Sequence, residues 1–188
     1  DLWSLPEYER AREDFRRRLI EMKRRRRVQV GPLLSFVFEN RDTVLFQVQE
    51  VLRAENVTEP ARVQEELDIY NNMLPEEGEL SATLFVEVTD SGRLPEEMAR
   101  LRGLDRTVNL EVAGERIQAV FEGGRTREES LSTVEYVRFP LTPAQARAFR
   151  SGKEPAALVV DHPAYRERRL LSQEVRQALG QDLGGWGR

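Results

Sequence analysis

The densest group of residues able to do chemistry is Glu39-Asn40-Arg41-Asp42, followed by Gln47 and Glu50. It falls where strand-forming residues give way to a helical pattern. Backbone N–H groups at a helix start can meet an anion, and an arginine there can clamp a carboxylate or phosphate through two parallel hydrogen bonds. The competing reading is structural: Asn40 or Asp42 caps the helix while Arg41 and Glu50 form ion pairs. A second group is the acidic run Glu65, Glu66 and Asp68, with Glu76, Glu77 and Glu79 further on. Hard cations need several converging oxygens, but adjacent helix residues such as Glu65 and Glu66 diverge. No Glu-x-x-His pair of the di-iron type is present. A solvated helix face is the simpler reading, and neither a metal nor another cofactor is expected. Tyr70, on the same helix, joins Glu65 as a secondary ligand-binding candidate.

His162 is the only histidine, and Asp161 and Tyr165 lie near it in sequence. Such a grouping suits a general base. Adjacent strand residues face opposite ways, however, and Pro163 implies a turn in which His162 is a structural hydrogen bonder. Arg24, Arg25, Arg26 and Arg27 offer phosphate contacts. They lack the interleaved aromatics that stack on bases, so nucleic acid is not an expected partner. Phosphate-loop, dinucleotide and nucleophile-elbow fingerprints are absent from the sequence.

The elements that position these groups follow from periodicity. Ser4 and Pro6 start a helix whose stripe is Tyr8, Ala11, Phe15, Leu19 and Met22, running into Lys23–Arg27. Val28 and Val30 lead past Gly31-Pro32 into a strand over 33–38. Helices over 43–55 and from Glu59-Pro60 to about Asn72 form an αα-hairpin. Leu80, Ala82, Leu84, Val86 and Val88 alternate with Ser81, Thr83, Phe85 and Glu87, the clearest strand of the chain. A short helix over 95–102 follows, then a hairpin of 108–112 with 117–121 and a polar loop over 123–130. A strand over 133–139 precedes a helix opened by the capping box Thr142-Pro143-Ala144-Gln145. The last strand is 156–160, ended by Asp161-His162-Pro163, and Ser172 caps a closing helix. The sum is an α+β fold: a largely antiparallel sheet of about six strands with helices packed on it.

The chain has 188 residues, 39% of them hydrophobic, which predicts one domain. Within it, 1–27 is a basic helix, 28–183 the α+β body and 184–188 a loose tail. The absence of cysteine excludes disulfides, thiolate metal sites and a cysteine nucleophile, and fits a reducing cytoplasm. No apolar run reaches the ~18 residues of a membrane helix. Charge is uneven. Residues 1–30 hold ten cations and six acids, so a segment at +4 adjoins a remainder at −8. Such asymmetry points to an acidic partner or to another copy of the chain.

Several stretches resemble a bacterial family. Phe38 to Glu50, continuing through Leu52-Arg53-Ala54-Glu55, is similar to the signature of the bacterial domain-of-unknown-function family 3501. So are Gln64 to Asn71, Leu80 to Leu84, Arg138 to Leu141 and Asp161 to Tyr165. The family has no assigned activity. The company its genes keep, near rubrerythrin-like and iron–sulfur proteins, implies a redox, oxidative-stress or metal-homeostasis setting.

These readings favour an accessory or protein-interaction protein that binds a protein partner or its own copy. Phe15 and Leu19 would be its apolar anchors and Arg24 to Arg27 its charged contacts. The alternative is an enzyme or small-ligand binder centred on Glu39, Arg41 and Glu50, decided by whether those groups converge in one pocket. The clearest strand carries its own test. Leu84→Asp should unfold the protein, because it puts an unpaired charge on the apolar face of a marginally stable fold. Circular dichroism should show an unfolded chain, and a cooperatively melting variant would refute the face assignment.

Overall fold

The structure is a computed structural model and describes residues 2–122 and 131–184. The polar loop expected at 123–130 and residues 185–188 of the expected tail lie outside the described residues.

Ser4, Glu7 and the proline at the second helical position start α1 (Leu5–Arg24), as the capping-box pattern requires. The helix then stops short. The apolar–polar alternation of Arg27-Val28-Gln29-Val30 suits a strand better than another helical turn, and these residues form β1 (Arg27–Val30). This corrects the expected helix into Arg27. Gly31 turns the chain into β2 (Leu34–Phe38) at φ +67°, a left-handed conformation that favours glycine. The αα-hairpin follows as α2 (Arg41–Ala54) and α3 (Pro60–Asn71), then β3 (Glu79–Val86) and α4 (Leu94–Arg100).

The second half supplies β4 (Val108–Val112), β5 (Glu115–Gln118), β6 (Val120–Phe121) and β7 (Val134–Pro140). It ends with α5 (Pro143–Ser151), β8 (Ala156–His162), β9 (Tyr165–Leu170) and α6 (Gln173–Asp182). Strands pair antiparallel in two sheets, in the orders β1-β2-β3-β7-β6 and β5-β4-β8-β9. The α+β class is therefore as read from the sequence, with more strands than the six expected. Three were hidden. β1 lay next to an arginine run, β6 has two residues, and β9 reads Tyr-Arg-Glu-Arg-Arg-Leu, the charged composition of a sheet edge.

The apolar faces of both sheets share one core. Phe36, Phe38, Leu84 and Phe139 meet Leu110, Leu158 and Val160, with Leu101, Phe149 and Leu179 from the second-half loops and helices. Two links join the sheets at their margins. The chain passes from β5 to β6, and so from one sheet to the other, within Gln118-Ala119-Val120. On the other side, the Tyr165 hydroxyl donates to Val30 O at 2.5 Å and accepts from Leu33 N–H at 3.1 Å, which ties β9 to the β1–β2 turn.

Helices α1 to α3 form a separate layer, with their own clusters around Tyr8, Phe15 and Leu19 and around Val48, Leu52 and Val57. Hydrogen bonds stitch this layer to the five-stranded sheet. Ser81 Oγ donates to Met73 O at 2.6 Å, and the Arg138 guanidinium reaches Leu74 O at 3.2 Å and also Asn72 O. At the far end of α1, Arg26 makes a two-pronged pair with Asp182 of α6, at 2.7 and 3.0 Å.

Gly31 is the sharpest stability test. A Cβ there would press on the Tyr165 hydroxyl, which two backbone bonds hold in place, and would come within 2.5 Å of Glu167 Cγ. With the left-handed backbone added, Gly31→Ala should cost on the order of 2–3 kcal/mol. Urea unfolding should show a lower midpoint with an unchanged slope. A midpoint equal to the parent's would mean that the turn tolerates a side chain.

Candidate functional site

The corner at the start of α2 is built by capping. Asn40 has extended backbone, its side chain accepts from Thr43 N–H at 2.9 Å, and its own N–H donates to Thr43 Oγ1 at 2.8 Å. Glu39, 2% exposed, lies beneath that first turn. Its carboxylate accepts from Thr83 Oγ1 at 2.6 Å, from Gln47 Nε2 at 3.2 Å and from the Thr43 hydroxyl. All three donors are neutral. This is how a buried carboxylate is satisfied without a cation in the same network. Arg41 is exposed at the first position of α2 and Asp42 is half-buried beside it.

Glu50 belongs to a different network. Arg12 grips it through Nε at 2.7 Å and a terminal nitrogen at 2.9 Å, and Tyr8 donates its hydroxyl at 2.8 Å. Arg53 approaches to 3.5 Å. The Arg12 hydrogen bonds, aided by Tyr8 and opposed by burial, bring the Glu50 carboxyl from 4.5 down to about 2. Burial and the bond to Glu50 push the Tyr8 hydroxyl well above its ordinary value. From Arg41 to Glu50, α2 rises about 13 Å. Glu39 and Glu50 thus face different partners, one under the helix start and one toward α1, and do not converge.

The remaining candidates are dispersed. Glu65 is exposed on α3. Tyr70 is half-buried, and burial raises its hydroxyl, with Tyr136 and Glu66 adding to the effect. Among the described residues, no three His, Asp or Glu side chains gather as a metal site needs. His162 is buried, with Nε2 2.9 Å from Arg102 O and Nδ1 accepting from Ala164 N–H at 3.1 Å. Those contacts assign the proton to Nε2 and commit both ring nitrogens to backbone. Asp161 points elsewhere, to Arg116 at 3.2 Å.

The basic run is divided. Arg24 and Arg25 are exposed at the end of α1 and Arg27 is exposed on β1. Arg26 is 4% exposed and paired with Asp182, so it is not presented at the surface as its neighbours are. Burial dominates at Asp182 and raises its carboxyl, against the pull of Arg26. Phe15 and Leu19 are also buried, against Trp3, Leu45 and Phe46. They are not protruding anchors. They form the floor of a cleft of about 320 Å³ between α1 and α2, which Trp3, Met22 and Leu45 extend and Arg18 and Asp42 rim.

Sequence reasoning missed Trp3 and Gln49. Gln49, fully buried on α2, holds the Trp3 backbone in both directions: Trp3 N–H donates to Oε1 at 2.7 Å, and Nε2 donates to Trp3 O at 3.3 Å. Trp3 stacks on Tyr8, with centroids 6.1 Å apart, and meets Phe15 edge-on at 5.4 Å. A signal for Trp3 did exist. An apolar residue just before a helix cap commonly staples to the fourth helical residue, here Tyr8. Gln49 had none, because a glutamine between Val48 and Leu52 reads as surface.

The fold is thus an α+β pair of antiparallel sheets carrying a helical layer, with a cleft between α1 and α2. Residues 1–183 match the family described as a protein of unknown function (DUF3501), and the chain belongs to that family. It is similar to a crystal structure described as a novel protein of unknown function from Burkholderia pseudomallei K96243. The two share 30% identity over 97% of this chain and 96% of the other, with a TM-score of 0.91. No curated protein matches the chain. Among the described residues, no helix is long and apolar enough to cross a membrane.

Glu50 sets an acid limit. Because its folded-state pKa is depressed, it contributes stability above the ordinary 4.5 and loses it as pH falls toward about 2. Urea unfolding between pH 2 and 7 should show Glu50→Gln with lower stability at neutral pH and a shallower decline on acidification. Parallel profiles for the variant and its parent would show that the Arg12–Glu50–Tyr8 contact contributes nothing.

Proposed function

We propose that the protein is an accessory protein that works by binding an acidic protein partner on the outward face of α1. The observation behind this reading is the division of labour on that helix. Its apolar stripe is used internally, while Arg16, Arg17, Arg24 and the half-exposed Ile20 share the opposite face. The spacing 16, 20, 24 places an apolar residue among cations on one stripe. Arg17 and Arg24 pair with Asp14 and Glu21 on the surface, where such pairs contribute little and exchange readily. An apolar contact ringed by charge suits a specific interface whose association is electrostatically steered.

The enzyme reading has less support, because the carboxylates it relied on sit in separate networks satisfied by their neighbours. A cysteine-free chain suits a reducing cytoplasm. The oxidative-stress or metal-homeostasis setting rests on the family resemblance alone.

Native mass spectrometry of protein purified from its own cells, with elemental analysis of the same sample, tests the proposal. The wild-type chain should carry a second protein, and Ile20→Glu should release it without loss of helix content. A lone wild-type chain would refute the partner. A metal or small molecule on that lone chain would favour the ligand or enzyme reading.

A further inference from the structure

A groove of about 730 Å³ runs between the end of α5 and the length of α6, and among the described residues no carboxylate lines it. Acids on the same elements are placed elsewhere. Asp182 pairs with Arg26, and Glu174 lines the trough on the α1 side of α6. Glu154, just after α5, meets the groove's arginine only through its backbone carbonyl.

Two arginines give this groove its charge. Arg176 is 9% exposed, and among the described residues it has no carboxylate partner. Its guanidinium lies 5.2 Å over the Phe149 ring and donates to Phe149 O at 2.7 Å, to Ala148 O at 3.4 Å and to Glu154 O. Its Nε has no partner. The negative end of a helix offers roughly half a charge. A buried cation held by such carbonyls alone therefore leaves the groove wall positive. Arg150 is exposed, and among the described residues its guanidinium makes no ion pair or hydrogen bond. Its stem runs along Gly180 of α6, where a Cβ would stand 3.5 Å from Arg150 Cγ. Arg176 thus acts through charge, while Arg150 keeps its planar fork for contact.

Three glutamines narrow the kind of anion. Gln173, Gln177 and Gln181 stand at four-residue intervals on one stripe of α6 and line the groove. Each side-chain amide offers both donors and an acceptor, which suits hydroxyl groups. A nucleotide base finds no platform, because Phe149 is 1% exposed beneath Arg176. The volume fits a small organic molecule better than a bare ion. We infer that the groove between α5 and α6 binds a small polyhydroxylated oxyanion, a sugar or polyol carrying a phosphate or carboxylate. Arg150 grips the anion and the α6 glutamines meet the hydroxyls. This site is separate from the α1 face and does not depend on the partner reading.

The test is amide NMR of the isotope-labelled full chain, titrated at low salt with glucose 6-phosphate, glucuronate, glucose and inorganic phosphate. At least one charged sugar should saturably shift the amides of Ser151, Gly152, Gln173 and Gly180. Glucose and inorganic phosphate should bind about tenfold or more weakly, and Arg150→Gln should weaken the charged sugar by a similar factor, as loss of a charge-assisted hydrogen bond implies. The glucose comparison leaves the protein untouched, so misfolding cannot mimic it. Binding of glucose 6-phosphate alone would assign the anion as a phosphate, and of glucuronate alone as a carboxylate; either supports the inference. Inorganic phosphate binding as tightly as both charged sugars would reduce the groove to an ion site and overturn it. So would glucose binding equally well, shifts confined to other elements, or no response to either charged sugar.

Discussion

The buried pair of Arg26 and Asp182 is the constraint on which the arrangement of layers depends. Its partners stand 156 residues apart in sequence and about one-twentieth exposed, joined by two parallel hydrogen bonds. Two charges taken out of water cost several kcal/mol each, roughly repaid by such geometry, and removing one partner alone typically costs about 3–5 kcal/mol. The pair is therefore a registry device more than a net stabiliser. It fixes where the chain leaves α1 and enters β1, and it sets α6 beside that exit. Arg26 also lines a trough between α1 and α6.

Around that junction the structure solves two packing problems in different ways. The sheets bury their apolar faces against each other in one continuous cluster, the non-directional solution. The helical layer meets the outer face of the five-stranded sheet through directed contacts. Glu39 reaches Thr83 on β3, Ser81 reaches Met73, and Arg138 reaches the carbonyls after α3. Its apolar residues cluster mainly among the three helices themselves. Hydrogen bonds at fixed distances give this layer a defined orientation on the sheet.

The same economy bears on function. Buried polar groups that sequence reasoning reads as catalytic candidates turn out to be satisfied: Glu39 by two hydroxyls and an amide, Glu50 by arginine and tyrosine, His162 by backbone on both nitrogens. Groups so committed hold a scaffold in place. Family membership and the similar Burkholderia pseudomallei structure agree in fold and assign no chemistry. The surface feature on which the proposed role draws is the half-exposed Ile20 among cations, on the side of α1 opposite the aromatic cleft.

What the sequence determined by itself was local. The alternation of Leu80 to Val86, the Thr142 capping box and the stripe from Tyr8 to Met22 each encode an element through periods of two or 3.6 residues, and each element formed. The family signature was legible for the same reason, since motifs are contiguous. Tertiary structure alone decided the rest. Arg26 reads like its neighbours in a run of arginines, and only Asp182 arriving from the far end of the chain makes it a buried ion. Glu39 and Glu50 lie close in sequence, yet a helix of fixed rise sends them to different neighbours. Gln49 and Trp3 became partners because α1 folds back on α2. Each of these depends on which distant group supplies the missing hydrogen bond, and no local pattern in the chain records that.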